Sequence, residues 1–419
     1  MRIQIRNGRI VDPATKRDGR ADLFVAEGRI VEEFARPERV IDATGLVVAP
    51  GFIDLAARLR EPGLDYKATL ESEMQAAVAG GVTSLACPPD TDPPLDEPGL
   101  VDMLHRRAQA LSQARLYPVG ALTVKLQGEA LTQMGELSDA GCIAFSQGNA
   151  LALDTQVLWR ALQYAATFGF KVWLRAEDAA LAKGGVAHDG EVATRLGLAG
   201  IPSFAETIAL STLLELARAT GARVHVCRIS TAGAIELVRR AKAEKLPLTC
   251  DVAVHHLHLS DMDLGYFNPH CRMDPPLRSQ RDRDALARGL AEGVIDCVVS
   301  DHTPVDEDGK HLPFAEAEPG ATGLELLLPL ALKWGDAQKL PLASTLARIT
   351  SDPARILGVD AGRLSIGAPA DLAIFDPNAS FAVSPETLKS QGKNTPFLGY
   401  ELAGRMRYTL VAGNVVYEA

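Results

Sequence analysis

The sequence predicts an α/β protein, a (β/α)₈ barrel with a small β-sandwich domain built from both chain ends. Three observations predict it. Short apolar runs recur through the middle of the chain, separated by amphipathic helical stretches. Both ends are instead dense in turn signals and short alternating strands. No Gly-x-Gly-x-x-Gly turn follows the first apolar run, which argues against an open doubly wound sheet. Residues 1–50 plus 358–419 are therefore assigned to the β domain and residues 51–357 to the barrel.

At the first end, Ile3-Gln-Ile, Ala21-Asp-Leu-Phe-Val and Leu46-Val-Val read as strands, with Asn7-Gly8 and Glu27-Gly28 as turns between antiparallel partners. Asp371-Leu-Ala-Ile-Phe375 and the run from Tyr408 to Tyr417 repeat that character at the other end. Between them, strand-like runs fall at 52–59, 82–87, 116–122, 143–145, 172–174, 224–229, 248–254 and 297–300, with helices at 205–219 and 232–245 among the connections. Eight such units with insertions suit a barrel of about 250 residues or more.

The net charge of −10 excludes a general affinity for phosphate backbones, so no nucleic-acid partner is expected. The start, Met1-Arg-Ile-Gln-Ile-Arg-Asn-Gly8, has no apolar core of a signal peptide, and charged residues and prolines interrupt every apolar stretch, so no membrane association is expected and the location is read as cytoplasmic. The six cysteines, at 87, 142, 227, 250, 271 and 297, form no Cys-x-x-Cys pair and read as buried free thiols.

Chemistry in such a barrel belongs at the C-terminal ends of the strands. The first reads Gly51-Phe-Ile-Asp-Leu-Ala-Ala-Arg-Leu-Arg-Glu-Pro-Gly63; then come Pro89-Asp-Thr-Asp-Pro-Pro94, Ala144-Phe-Ser146, Ala176-Glu-Asp178 and His225-Val-Cys-Arg-Ile-Ser-Thr231. Val254-His-His-Leu257, Asp274-Pro-Pro-Leu-Arg278, Ser300-Asp-His-Thr-Pro304 and Asn394-Thr-Pro-Phe-Leu-Gly399 continue the series. In number and fixed order these segments resemble the dihydroorotase family of the amidohydrolase superfamily.

The resemblance implies one or two divalent metals, held by two histidines on strand one, a carboxylate or carboxylated lysine on strand four, a histidine each on strands five and six, and an aspartate on strand eight. Carried onto this chain, those positions fall on Ala56, Arg58, Gln147, Arg175, Arg228 and Asp301, of which only Asp301 keeps the family type. A guanidinium offers only donors and cannot ligate a cation. Arg58, Arg175 and Arg228 are expected to converge on Asp301, and the family zinc is expected to be absent, leaving no cofactor.

Among the positions that the resemblance assigns to substrate, Arg60 is retained, while Asp90, Asp274 and Val305 depart from the family. Two added carboxylates are expected to repel an anionic substrate. Asp54 reads as a strand-end structural carboxylate, His255-His256 as a structural pair, and His302 as hydrogen-bonded within the barrel mouth. His105, His188, His258, His270 and His311 read as solvated.

These departures imply a chain without catalysis. In that reading the chain is a homodimeric, noncatalytic subunit that scaffolds the aspartate carbamoyltransferase catalytic subunit in pyrimidine biosynthesis. The alternatives are an amidohydrolase-superfamily enzyme with altered, metal-independent hydrolysis of a cyclic amide, and a ligand-sensing subunit whose arginines bind an anionic metabolite.

Overall fold

The computed structural model describes residues 2–150 and 154–419. Eight parallel strands in chain order form the central sheet: Phe52–Asp54, Val82–Cys87, Arg115–Ala121, Ala144–Ser146, Lys171–Leu174, Arg223–Val226, Leu248–Ala253 and Cys297–Val299. The sheet curls until its two edges meet beyond the strand ends. A parallel bridge pairs Ala57 with His302, with Arg58 N–H donating to the His302 carbonyl at 2.9 Å and His302 N–H to the Ala56 carbonyl at 3.1 Å. The protein is thus a (β/α)₈ barrel carrying an additional β domain.

The strands are covered on both faces, so they read as continuous apolar runs; every residue of Val82–Cys87 is buried. Inside, Ile53, Ala86, Val119, Ala144, Trp173, Ala253 and Val299 fill the barrel. Outside, helices lay their apolar stripes on the strands. The helix Thr155–Phe168 starts where Asp154 accepts the N–H groups of Gln156 and Val157 at 2.7 and 3.3 Å and stops at left-handed Gly169. The helices expected at 205–219 and 232–245 span Ser203–Thr220 and Ala232–Ala243. A short strand pair, Ala187–His188 with Gly200–Ile201, inserts after the fifth barrel strand.

The second sheet draws strands from both chain ends. Val47–Pro50 lies between Ile3–Asp12, its parallel neighbour, and Leu372–Ala382, its antiparallel one. Arg17–Ala26 and Arg29–Val31 extend one side, Glu401–Val411 and Asn414–Glu418 the other, and Arg39–Asp42 also pairs with Ile3–Asp12. Glu27-Gly28 makes the expected hairpin turn, with both φ angles positive. Asn7-Gly8 does not turn the chain. It is a bulge within the strand Ile3–Asp12, where the register shifts between Ile5 and Gly8. A Cβ on Gly8 would lie 2.6 Å from Val48 Cγ2, so close strand packing accounts for this glycine.

Barrel and second sheet are joined by specific contacts. Phe52 packs on Phe375 with centroids 6.1 Å apart, and Thr409 Oγ1 donates to the Val78 carbonyl at 2.7 Å. Arg115 on the third barrel strand pairs with Asp371. All six cysteines are free; five are buried and Cys227 is half-buried. Among the described residues no helix is long and apolar enough to cross a membrane.

Candidate active site at the barrel mouth

Parallel strands all end on one face, so residues just past those ends gather there although they are distant in sequence. Arg58, after the first strand, donates through Nη1 to Asp301 Oδ1 at 3.2 Å and to Thr303 Oγ1 at 3.2 Å. Its Nε donates to Asp90 Oδ2 at 2.9 Å. Arg228, after the sixth strand, donates through Nη1 to Asp301 Oδ1 at 3.0 Å and to the Asp274 carbonyl at 3.2 Å. Both guanidiniums also donate through Nη2 to Asn149 Oδ1, at 3.0 and 2.5 Å. Burial alone would lower the Arg228 guanidinium, but the Asp301 carboxylate and nearby acids raise it above its ordinary range. Asp301 Oδ2 accepts no hydrogen bond from the described residues.

Arg175 stands apart from this cluster, contrary to the expected convergence on Asp301. Its Nη2 pairs with Glu177 Oε1 and its Nη1 with Asp274 Oδ1, both at 2.5 Å. Glu177 lies only two residues further along the chain, and both side chains of this pair are buried. Gln147 also turns aside: its Oε1 accepts from the Thr123 N–H and hydroxyl, at 3.1 and 2.8 Å, and its Nε2 donates to the Leu126 carbonyl at 3.3 Å. Ala56 is buried against the barrel interior.

Asp90 and Asp274 were expected to repel an anion. Each is instead matched by a guanidinium. Burial would raise the Asp90 carboxyl, yet Arg58, with Arg60 and Arg228 beyond, holds it below its ordinary range. Burial and Arg175 act on Asp274 in the same opposed way, with the same net direction. Val305 is buried and donates its N–H to Asn394 Oδ1 at 2.9 Å.

Arg60 differs from the other guanidiniums. Its Nε donates to the Pro304 carbonyl at 2.8 Å, and it makes no ion pair among the described residues. Burial, followed by the like charge of Arg58, lowers its pKa. Its φ is +65°, and Arg228 and Asp301 are also left-handed at +53° and +48°. Non-glycine residues in that region are strained, and such strain gathers where a site requires a particular side-chain direction.

The histidines separate into several environments. His302 leaves the mouth: its Nε2 donates to Glu73 Oε2 at 2.5 Å, while its Nδ1 accepts the Gly323 N–H at 3.1 Å. Asp54 is the expected structural carboxylate, bound by the Ser300 hydroxyl and by its N–H at 2.9 Å, and burial raises its pKa. His255 and His256 are buried, which pushes both down to about 3. Of the five histidines expected in solvent, only His311 is exposed. His258 is half-buried, donates through Nε2 to the Leu330 carbonyl at 2.9 Å, and is pushed down to about 4 by burial.

Two features escaped sequence reasoning. Asn149 sits between Arg58 and Arg228, and its only signal was a place shortly after the fourth strand. His225, Cys227 and Asp251 form the other, with one potential ligand atom from each lying within 4.8 Å of the others. Alternation along one strand put His225 and Cys227 on the same face, but their pairing with Asp251 depends on strand order.

The solved L-hydantoinase (dihydropyrimidinase) from Arthrobacter aurescens is similar over 99% of this chain and 96% of its own, with a TM-score of 0.88 and 26% identity. The fold and the strand-end site therefore place the chain in the amidohydrolase superfamily. A family model described as dihydro-orotase-like matches residues 45–234. A "Dihydroorotase-like protein" of Pseudomonas aeruginosa is 45% identical over the full length of both chains, and a "Dihydroorotase" of a Geobacter species is 40% identical, again over both full lengths. The chain belongs to the dihydroorotase-like family.

These relatives correct two expectations. A full-length relative at 40% identity named dihydroorotase, together with a hydantoinase neighbour, points to an enzyme and not to a chain without catalysis. The expectation of no metal is corrected as well, because the family resemblance implies metal-dependent chemistry and the His225–Cys227–Asp251 group offers ligand atoms. The family's own metal positions at the mouth do not fit an ion: Arg58 and Arg228 present donors to Asp301, and Arg175 presents donors to Glu177 and Asp274.

Proposed function

We propose that this chain is a hydrolase of cyclic amides that recognises a ring bearing a carboxylate, of the dihydroorotate kind, at the barrel mouth. One observation carries the reading: Arg60 is a buried guanidinium, strained in the left-handed region, with no carboxylate partner among the described residues. A substrate carboxylate would supply that partner through paired N–H···O bonds. Asp301 Oδ2, which accepts no hydrogen bond from the described residues, is suited to taking a proton from water or holding a ring N–H. Arg58 and Arg228 place fixed positive charge next to Asp301, where negative charge develops on an amide oxygen.

The test is turnover of dihydroorotate, and of carbamoyl aspartate in the reverse direction, by purified protein supplied with divalent zinc. Ring opening or closure above the protein-free rate, lost in Asp301→Ala, supports the reading. No turnover in either direction by well-folded protein would sink it.

We also propose association with the aspartate carbamoyltransferase catalytic subunit and self-association as a homodimer, supported by the family resemblance. Phe204 and Ile208, one turn apart on Ser203–Thr220, are 53% and 45% exposed and offer an apolar surface for such a contact. Gel filtration of the chain alone and mixed with transcarbamoylase trimers tests both associations. Unshifted elution at the monomer and trimer positions would dismiss them.

A further inference from the structure

We propose that His225, Cys227 and Asp251 bind one zinc-class divalent ion, in a layer of the barrel beneath the guanidiniums of the mouth. This stands apart from the reading of Arg60 and uses none of the family's metal positions.

The ligand chemistry is the first support. One imidazole, one thiol and one carboxylate are a zinc-type set, and the sulfur disfavours magnesium and calcium. With Cys227 as thiolate and Asp251 ionised, a bound dication gives a neutral buried cluster, avoiding the large penalty of an isolated interior charge. The thiol gives up its proton when the metal–sulfur bond forms.

Geometry is the second. Tetrahedral zinc with bonds of about 2.0–2.3 Å keeps its ligand atoms roughly 3.3–3.8 Å apart. The three ligand atoms already lie within 4.8 Å of one another. His225 Nε2 and Asp251 Oδ2 now share a hydrogen bond of 2.8 Å, so that pair must open by about half an ångström while Cys227 closes in.

The surrounding contacts are the third. His225 Nδ1 lies 2.8 Å from Thr249 Oγ1; with a metal on Nε2, Nδ1 carries the proton and donates to that hydroxyl. Asp251 Oδ1 accepts the Arg228 N–H at 2.6 Å, which fixes the carboxylate and leaves Oδ2 for the ion. Outer partners of this kind orient metal ligands. Trp173, whose ring centroid is 5.2 Å from that of His225, has a buried indole N–H with no partner among the described residues. It is a spare donor on a side chain packed against His225.

The full chain, stripped with chelator, is titrated with cobalt(II). One equivalent should bind and produce a near-ultraviolet thiolate-to-cobalt charge-transfer band, which zinc then abolishes by displacement. Cys227→Ser should remove the band and weaken binding at least tenfold, while Cys142→Ser, a buried thiol outside the group, should leave both unchanged. Cadmium-113 resonance on the unaltered protein reads the same question without a variant, since one sulfur ligand moves the signal well away from an all-oxygen and nitrogen site. No bound cobalt, cobalt bound without the thiolate band, or a band that survives Cys227→Ser would each overturn the proposal.

Discussion

Arg58 and Arg228 share both of their central acceptors: each donates to Asp301 Oδ1 and each donates to Asn149 Oδ1. Two like charges are thus held side by side in a buried site by one carboxylate and one amide. Removing one partner from a buried ion pair costs about 3–5 kcal/mol, because the remaining charge is left without compensation. Arg228→Met should therefore lower unfolding stability by about 3 kcal/mol in urea titrations. A loss below about 1 kcal/mol would mean that solvent or Arg58 compensates Asp301 fully.

Acid sensitivity should begin near the ordinary histidine range. His255 and His256 are neutral in the folded protein down to about 3, whereas in the unfolded chain they take up protons near 6.5. The unfolded state thus binds more protons between those values, and stability falls as pH drops from about 6.5 toward 3. Each histidine contributes a slope of at most about 1.4 kcal/mol per pH unit. His255→Gln should flatten the stability profile between pH 6 and 4; an unchanged slope would show that this ring is not buried neutral.

Gly63 closes the loop carrying Arg60. Its φ is +88°, and a Cβ there would fall 1.7 Å from the Asp92 carbonyl oxygen. Gly63→Ala must displace the 60–63 or the 90–92 backbone. It should lower stability by roughly 1–3 kcal/mol, the range for backbone strain of this type, and impair turnover more than Gly99→Ala, where a Cβ meets open space. Equal behaviour of the two variants would remove Gly63 from the site's framework.

Substrate discrimination should depend on Arg60. Dihydroorotate should be preferred to dihydrouracil, which lacks the carboxylate, and Arg60→Met should erase that preference chiefly by raising KM for the acidic ring at least tenfold. A preference that survives the substitution would assign carboxylate recognition to another group.

The barrel was legible because its strands are covered on both faces and so stand out as apolar runs between amphipathic helices. Their limits were less so. The first run, at 52–59, yields ladder pairing only over Phe52–Asp54, after which the chain turns across the mouth to bridge His302. Asn7-Gly8 has the composition of a hairpin turn, and only pairing to Arg17–Ala26 reveals a bulge. Strand-end positions correctly brought Arg58, Arg228 and Asp301 together. Arg175 departed because Glu177 and Asp274 compete for it, and His258 because its carbonyl partner comes from the distant helix Leu327–Ala337. Such partners are set by tertiary packing and leave no local pattern.

The placement of Val47–Pro50 between Ile3–Asp12 and Leu372–Ala382 has a consequence for biosynthesis. While the ribosome is still making the barrel, the strand edge that later receives Leu372–Ala382 has no partner. An unpaired apolar edge invites association with other chains. Nascent chains halted before Leu372 should therefore engage chaperones and proteases far more than finished ones, and slow translation of the barrel should lower yield even when every barrel helix can form.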